Sequence, residues 1–137
     1  MCVYLTVGLP PDANLDAVSR RLKRLSIGDG LYNALPFDWD EGLQLRPVIP
    51  PNGEPCHCGS YQSDAPWAQF IKETLTAHES SAVGFLVTWG GYPQPGPSLN
   101  DEDDDELHLR EIVYRDATDA TTQVLDEMEW RQLLVFI

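Results

Sequence analysis

The sequence predicts an α+β domain, with a mixed sheet of four or five strands and two main helices packed on one face. Several short segments alternate between apolar and other residues, and two longer segments repeat apolar residues at spacings of three and four. Gly and Pro cluster between these segments. With 137 residues, 42% of them hydrophobic, the chain suffices for a single domain over residues 1–137.

A strand is predicted at the start of the chain. Over residues 2–8, Val3, Leu5 and Val7 share one side, and the residues between them share the other. We therefore expect Cys2 at the beginning of a strand.

The next segment is predicted to be a helix. We expect Asp12 to cap it after a double proline, and Gly28 to end it. Its apolar stripe consists of Leu15, Val18, Leu22 and Leu25.

Residues 28–55 are rich in Gly and Pro, which predicts mostly loop. Residues 43–46 alternate between apolar and polar residues, which predicts a short strand. We expect this strand at a sheet edge, because Pro47 has no N–H to donate to a neighbouring strand. Phe37 and Trp39 are flanked by acids, so they either form an exposed contact surface or pin the loop to the core.

The second half begins with another predicted helix. Ser63 or Asp64 can cap it, Pro66 suits its first turn, and it should run to about His78. Residues 82–89 then form the clearest strand, apolar on both sides as expected near the centre of a sheet.

The remaining chain mixes a loop with short elements. Residues 90–106 combine Gly, Pro and an acidic block and predict a flexible loop. A strand is expected around residues 107–114. Residues 116–128 suit a short helix slightly better than a hairpin strand, and residues 133–137 suit a buried strand.

The acidic composition constrains possible partners. The chain has 22 acidic and 9 basic residues, a formal charge of -13, which argues against binding nucleic acid or anionic lipid. The leading hypothesis is a non-enzymatic binding protein, an inhibitor or immunity-type protein that neutralises a basic partner such as a toxin. Its candidate contact residues are Phe37, Trp39, Tyr92, Asp101, Glu102, Asp103, Asp104, Asp105 and Glu106.

The cytoplasm is the expected location. The N-terminus has no basic leader, and the longest apolar run, residues 133–137, is far shorter than a membrane span. Cysteines stay reduced in that compartment, so an odd number of them is acceptable there.

The chemically richest stretch is Cys56-His57-Cys58, and three interpretations of it are open. Two thiols one residue apart can bind a soft metal such as zinc, with Cys2 and His57 as further candidate ligands. His78 or His108 could take the place of His57 as the fourth ligand. A second interpretation is a reactive thiol in a thiol-dependent enzyme. The third is a tight turn that ends at Gly59 and has no cofactor. No established catalytic motif occurs in the chain.

Two resemblances involve this stretch. Residues 55–60 resemble the opening Pro-Cys-x-Cys-Gly-Ser of the zinc-binding tail motif of the bacterial preprotein translocase ATPase, which implies a metal. That motif continues with a further cysteine and a Cys or His, where this chain has residues 61–68 and no such ligand. An N-terminal Met-Cys followed by a central Cys-x-Cys-Gly also resembles a group of short uncharacterised bacterial proteins, which implies no function.

Overall fold

The computed structural model describes residues 2–32, 37–38, 42–59, 61, 66–92, 109, 111–129 and 131–137. Within these ranges the chain forms six strands and three α-helices around one sheet. In chain order the elements are β1 (Val3–Leu9), α1 (Leu15–Arg24), β2 (Phe37–Asp38), β3 (Gln44–Pro47), α2 (Trp67–Thr76), β4 (Val83–Trp89), β5 (Glu111–Arg115), α3 (Thr122–Asp126) and β6 (Gln132–Phe136).

The sheet has the order β2-β3-β1-β4-β6-β5. All neighbouring strands are antiparallel except β5 and β6, which run parallel, so the sheet is mixed. Five strands have four residues or more, and β2 adds a two-residue edge. The predicted α+β class is therefore confirmed, and β4 occupies the inner position expected for residues 82–89.

The main core lies on one face of the sheet. Leu5 and Val7 of β1 lie opposite Val87 and Phe85 of β4, and all four are almost fully buried. Most of the buried apolar side chains of α1, α2 and α3 belong to the same apolar cluster. The helical members are Val18, Leu22, Trp67, Phe70, Ile71 and Leu125. The packing of the two main helices on one face of the sheet stays a prediction.

A smaller apolar cluster lies on the other face. It contains Leu45 of β3, Leu86 of β4 and Leu133 of β6, each fully buried. Gly8 and Gly84 lie opposite each other in this region, and a Cβ on Gly84 would approach Leu133 Cδ1 to 2.8 Å. Glycine at position 84 therefore allows close packing at the middle of the sheet.

Two predicted boundaries of α1 were wrong. Asn14, not Asp12, is the N-cap, because its Oδ1 accepts a hydrogen bond from the Ala17 N–H at 3.1 Å. The helix ends at Arg24, and Ser26 takes the left-handed conformation, with φ of 59°. Gly28 has a packing role instead, since a Cβ there would approach Val48 Cγ1 to 2.6 Å.

The predicted edge position of β3 was also wrong. β2 pairs with Leu45 and Gln44, whereas β1 pairs with β3 as far as Pro47. The edge argument failed because Pro47 lies beyond the residues that pair with β2. Its carbonyl still accepts a hydrogen bond from the Tyr32 N–H at 2.9 Å.

The ambiguous stretch after β5 is helical, as slightly favoured. A 3₁₀ turn over Ala117–Asp119 precedes α3, whose N-cap is Thr121. The α2 cap differs from the prediction, because Pro66 itself is the N-cap residue and no side chain caps the helix. Within the described ranges, no helix is both long enough and apolar enough to span a membrane.

Candidate metal centre

The candidate site lies at the N-terminal end of β1. Cys2 precedes the strand, and its carbonyl accepts a hydrogen bond from the Gly90 N–H at 2.9 Å. Val3, the next residue, pairs with Trp89 of β4. The sheet therefore holds the Cys2 backbone from the β4 side.

Cys56 and Cys58 reach the same place from the β3 side of β1. The Val48 N–H, just after β3, still donates to the Leu5 carbonyl at 3.0 Å. The chain then leaves the sheet, turns at Pro51–Gly53 and returns at His57, whose N–H donates to the Val3 carbonyl at 2.8 Å. The return of the chain to β1 thus brings together cysteines more than fifty residues apart in sequence.

The three thiols form a compact group. Their sulfur atoms all lie within 4.8 Å of one another, and the Cys56 Sγ is 3.3 Å from the Cys58 Sγ. All three cysteines are free; Cys2 and Cys56 are half-buried and Cys58 is exposed. Three sulfur ligands around one zinc ion would be about 3.8 Å apart, because Zn–S bonds are about 2.3 Å long. The arrangement therefore could hold a metal ion after only small side-chain shifts.

A backbone hydrogen bond supports one of the thiols. The Val3 N–H donates to the Cys58 Sγ at 3.3 Å. Donors of this kind orient a sulfur ligand and stabilise its negative charge when it binds a metal. The Cys58 thiol is thus held in place although its side chain is exposed.

His57 lies outside the group of potential ligands. Its side chain is fully buried, and its Nε2–H donates to the Val48 carbonyl at 2.7 Å. Burial lowers the pKa of His57, although the hydrogen bond to Val48 partly opposes this effect. Residues 55–57 form a bend and residues 58–59 a turn, and the buried His57 lies between two cysteines whose sulfur atoms belong to the thiol group. Its position makes it an anchor of the segment.

Tyrosines border the thiol group. Tyr92 is half-buried, and its hydroxyl donates to the same Val48 carbonyl at 2.7 Å. Its ring makes edge contacts with Tyr4 and Tyr32, with centroids 4.8 and 5.7 Å away. Burial raises the pKa of Tyr92, with further contributions from Tyr32, Tyr4 and Cys56. The phenol therefore stays protonated and can keep donating to Val48.

Tyr4 is a neighbour of the site that the sequence analysis missed. Burial raises the pKa of its phenol, and Cys2, Cys56 and Cys58 raise it further. The available signal was its spacing from Cys2, since residues two apart in a strand share a side. The role of the Val48 carbonyl had no signal in the sequence.

The candidate partner-binding residues are only partly described. Phe37 belongs to β2, but its side chain, all of Trp39 and residues 101–106 lie outside the described residues. Tyr92 is described, and it contacts Val48, Tyr4 and Tyr32. The predicted flexible loop begins at residue 90. Gly90 and Tyr92 donate the hydrogen bonds to the Cys2 and Val48 carbonyls described above, and residues 93–106 lie outside the described residues.

Two further histidines were considered as ligands in the sequence. His78 is exposed and lies just after α2. The carbonyl of its neighbour Glu79 accepts a hydrogen bond from the N–H of Asn14, a residue that lies beyond the C-terminal end of β1. His78 is therefore remote from the thiols, while His108 lies outside the described residues.

Comparison of the chain with protein-family models, with curated proteins and with solved structures finds no match.

Proposed function

We propose that this protein binds a soft metal ion, with zinc as the expected metal, through Cys2, Cys56 and Cys58. The observation that carries the proposal is the convergence of three thiol sulfurs within 4.8 Å from two distant segments. Thiolates are preferred ligands of zinc and of monovalent copper.

The backbone around the thiols is already organised for binding. Hydrogen bonds hold the Cys2 carbonyl, the Val3 carbonyl and the His57 N–H before any ion enters. A preorganised site loses less conformational entropy on binding, so more of the interaction energy appears as affinity. The formal charge of -13 also raises the local concentration of cations around the protein.

A bound metal would connect β1 to the segment after β3. Such a connection adds metal-binding free energy to the stability of the fold. We propose a role in which the metal fixes the Cys56–Cys58 segment against β1, in a reducing compartment such as the cytoplasm.

Metal content and affinity test the proposal. The untagged protein, purified under reducing conditions from zinc-supplemented cells, should contain about one zinc per chain by elemental analysis. Titration against a chromogenic chelator should give an affinity that Cys56→Ser and Cys58→Ser each weaken at least about tenfold. His78→Gln is the matched control and should bind zinc normally. A metal-free protein that fails to compete with the chelator for zinc and for monovalent copper would refute the proposal.

The acidic composition supports a second candidate function. Residues 101–137 hold twelve of the 22 acids but only three of the nine bases. We propose that this C-terminal segment attracts a basic protein partner, as an inhibitor or immunity-type protein would. Replacing residues 101–106 with Asn and Gln should slow association with such a partner, and added salt should slow the unaltered protein equally. A pull-down from the source cells that returns no basic protein would count against it.

A further inference from the structure

The outer strand of the sheet, β5, has a sequence that complements itself. In the described part of the chain β5 pairs only with β6 and lies at the end of the sheet. Glu111 and Arg115 are at its two ends, and both are exposed. Between them Ile112 and Val113 are half-buried, and Tyr114 is 47% exposed.

We propose that two copies of this chain associate through β5, as antiparallel neighbours related by a two-fold axis at Val113. In this register, Glu111 of each copy lies opposite Arg115 of the other. Ile112 lies opposite Tyr114, a pairing of a β-branched with an aromatic residue that favours strand association. The interface is isologous, as a closed dimer requires.

The side-chain alternation limits the choice of register. In a continuous sheet, the side chains of directly opposite residues lie on the same face. Odd-numbered residues must therefore pair with odd-numbered ones, and even-numbered residues with even-numbered ones, in every possible register. Shifting the axis from Val113 to Ile112 or to Tyr114 places Val113 opposite Glu111 or Arg115. Each shift removes both opposite-charge pairs. The Val113 register is the one that pairs all five residues of the strand.

Nearby acids weaken the proposed contact. Arg115, Asp116 and Asp119 border a surface cavity of about 430 Å³ beside the strand. In the dimer, Glu111 of the second copy would approach this same region and be repelled by the two aspartates. The large net negative charge of each chain also opposes association. We therefore expect Asp116→Asn to strengthen the dimer.

Charge reversal tests the register directly. Sedimentation equilibrium of the full chain under reducing conditions should show a reversible monomer–dimer equilibrium. Glu111→Arg and Arg115→Glu should each weaken dimerisation at least about tenfold, because each places like charges opposite each other at both ends. The double variant E111R/R115E should recover the affinity to within about threefold, since the pairs are restored with their signs exchanged.

Controls separate the β5 contact from other causes of a change in dimerisation. Arg115→Glu is the cleaner single variant, because Glu111 also accepts a hydrogen bond from the Gln132 side chain at 2.8 Å. Circular dichroism should confirm that each variant is folded. The variant C56S/C58S should dimerise like the unaltered chain, which would exclude bridging through thiols or metal. A wild-type chain that stays monomeric up to its solubility limit would overturn the proposal. Charge variants that all dimerise as strongly as the unaltered chain would also overturn the proposal.

Discussion

Acidification should destabilise the fold through His57. The imidazole is fully buried, and its pKa is lowered by that burial, with the hydrogen bond to the Val48 carbonyl acting in the opposite direction. In the unfolded chain the pKa returns to the ordinary value of 6.5, so below that pH the unfolded state binds the proton more readily. The stabilising effect of a neutral His57 is therefore complete above pH 6.5 and is lost as the pH falls toward the folded pKa.

The size of this effect follows from proton linkage. Each pH unit below 6.5 costs up to about 1.4 kcal/mol until the folded pKa is reached. The loss at pH 5.5 is therefore at most about 1.4 kcal/mol, which corresponds to about 4 °C in melting temperature for a domain of this size. Glu73 adds little here, because hydrogen bonds from Arg24 and Gln69 lower its pKa below the ordinary 4.5.

Urea unfolding between pH 7.5 and 5.5 measures the effect. His57→Gln is the matched variant, because the Gln side-chain amide can still donate near the Nε2 position but does not titrate. We expect the variant to lose most of the pH dependence seen in the unaltered protein. An identical pH dependence in the two proteins would refute the assignment of His57 as a buried neutral anchor.

Two further substitutions test the packing of the fold away from the site. Gly84→Ala should destabilise the protein by about 1–3 kcal/mol in urea unfolding, because its Cβ would overlap Leu133; a loss below about 0.5 kcal/mol would contradict the close packing. Arg21→Met should cost about 1–3 kcal/mol in the same assay, because it leaves Glu79 without the guanidinium that pairs with it in a partly buried position. A neutral result would mean that this pair contributes little. The matched controls are Gly59→Ala and Arg20→Met.

The strands and helices could be predicted where one periodicity dominates. Alternation identified β1 from Val3 to Val7 and β4 over residues 83–89, because each is apolar on the face that forms the core. Boundaries were less accurate. Asn14 and Asp12 are equally suitable caps by residue type, and only the turn after Pro10, with its Ala13 N–H bonded to the Pro10 carbonyl, determines which one reaches the helix.

The candidate site could be predicted only in part. The sequence identified Cys2 and the Cys56–Cys58 pair as possible partners, but their meeting depends on the chain returning to β1 after β3. That return is fixed by backbone hydrogen bonds to the Leu5 and Val3 carbonyls, which no residue type signals. His57 was a reasonable ligand by chemistry, and its burial beside Val48 became evident only in the structure.

X-ray absorption spectroscopy at the zinc edge tests the central claim most directly. The protein should be loaded with one equivalent of zinc under reducing conditions and compared with Cys56→Ser. We expect about three sulfur neighbours at about 2.3 Å in the unaltered protein, and one fewer in the variant. A coordination shell of oxygen and nitrogen only, or a spectrum that Cys56→Ser leaves unchanged, would contradict metal binding by Cys2, Cys56 and Cys58.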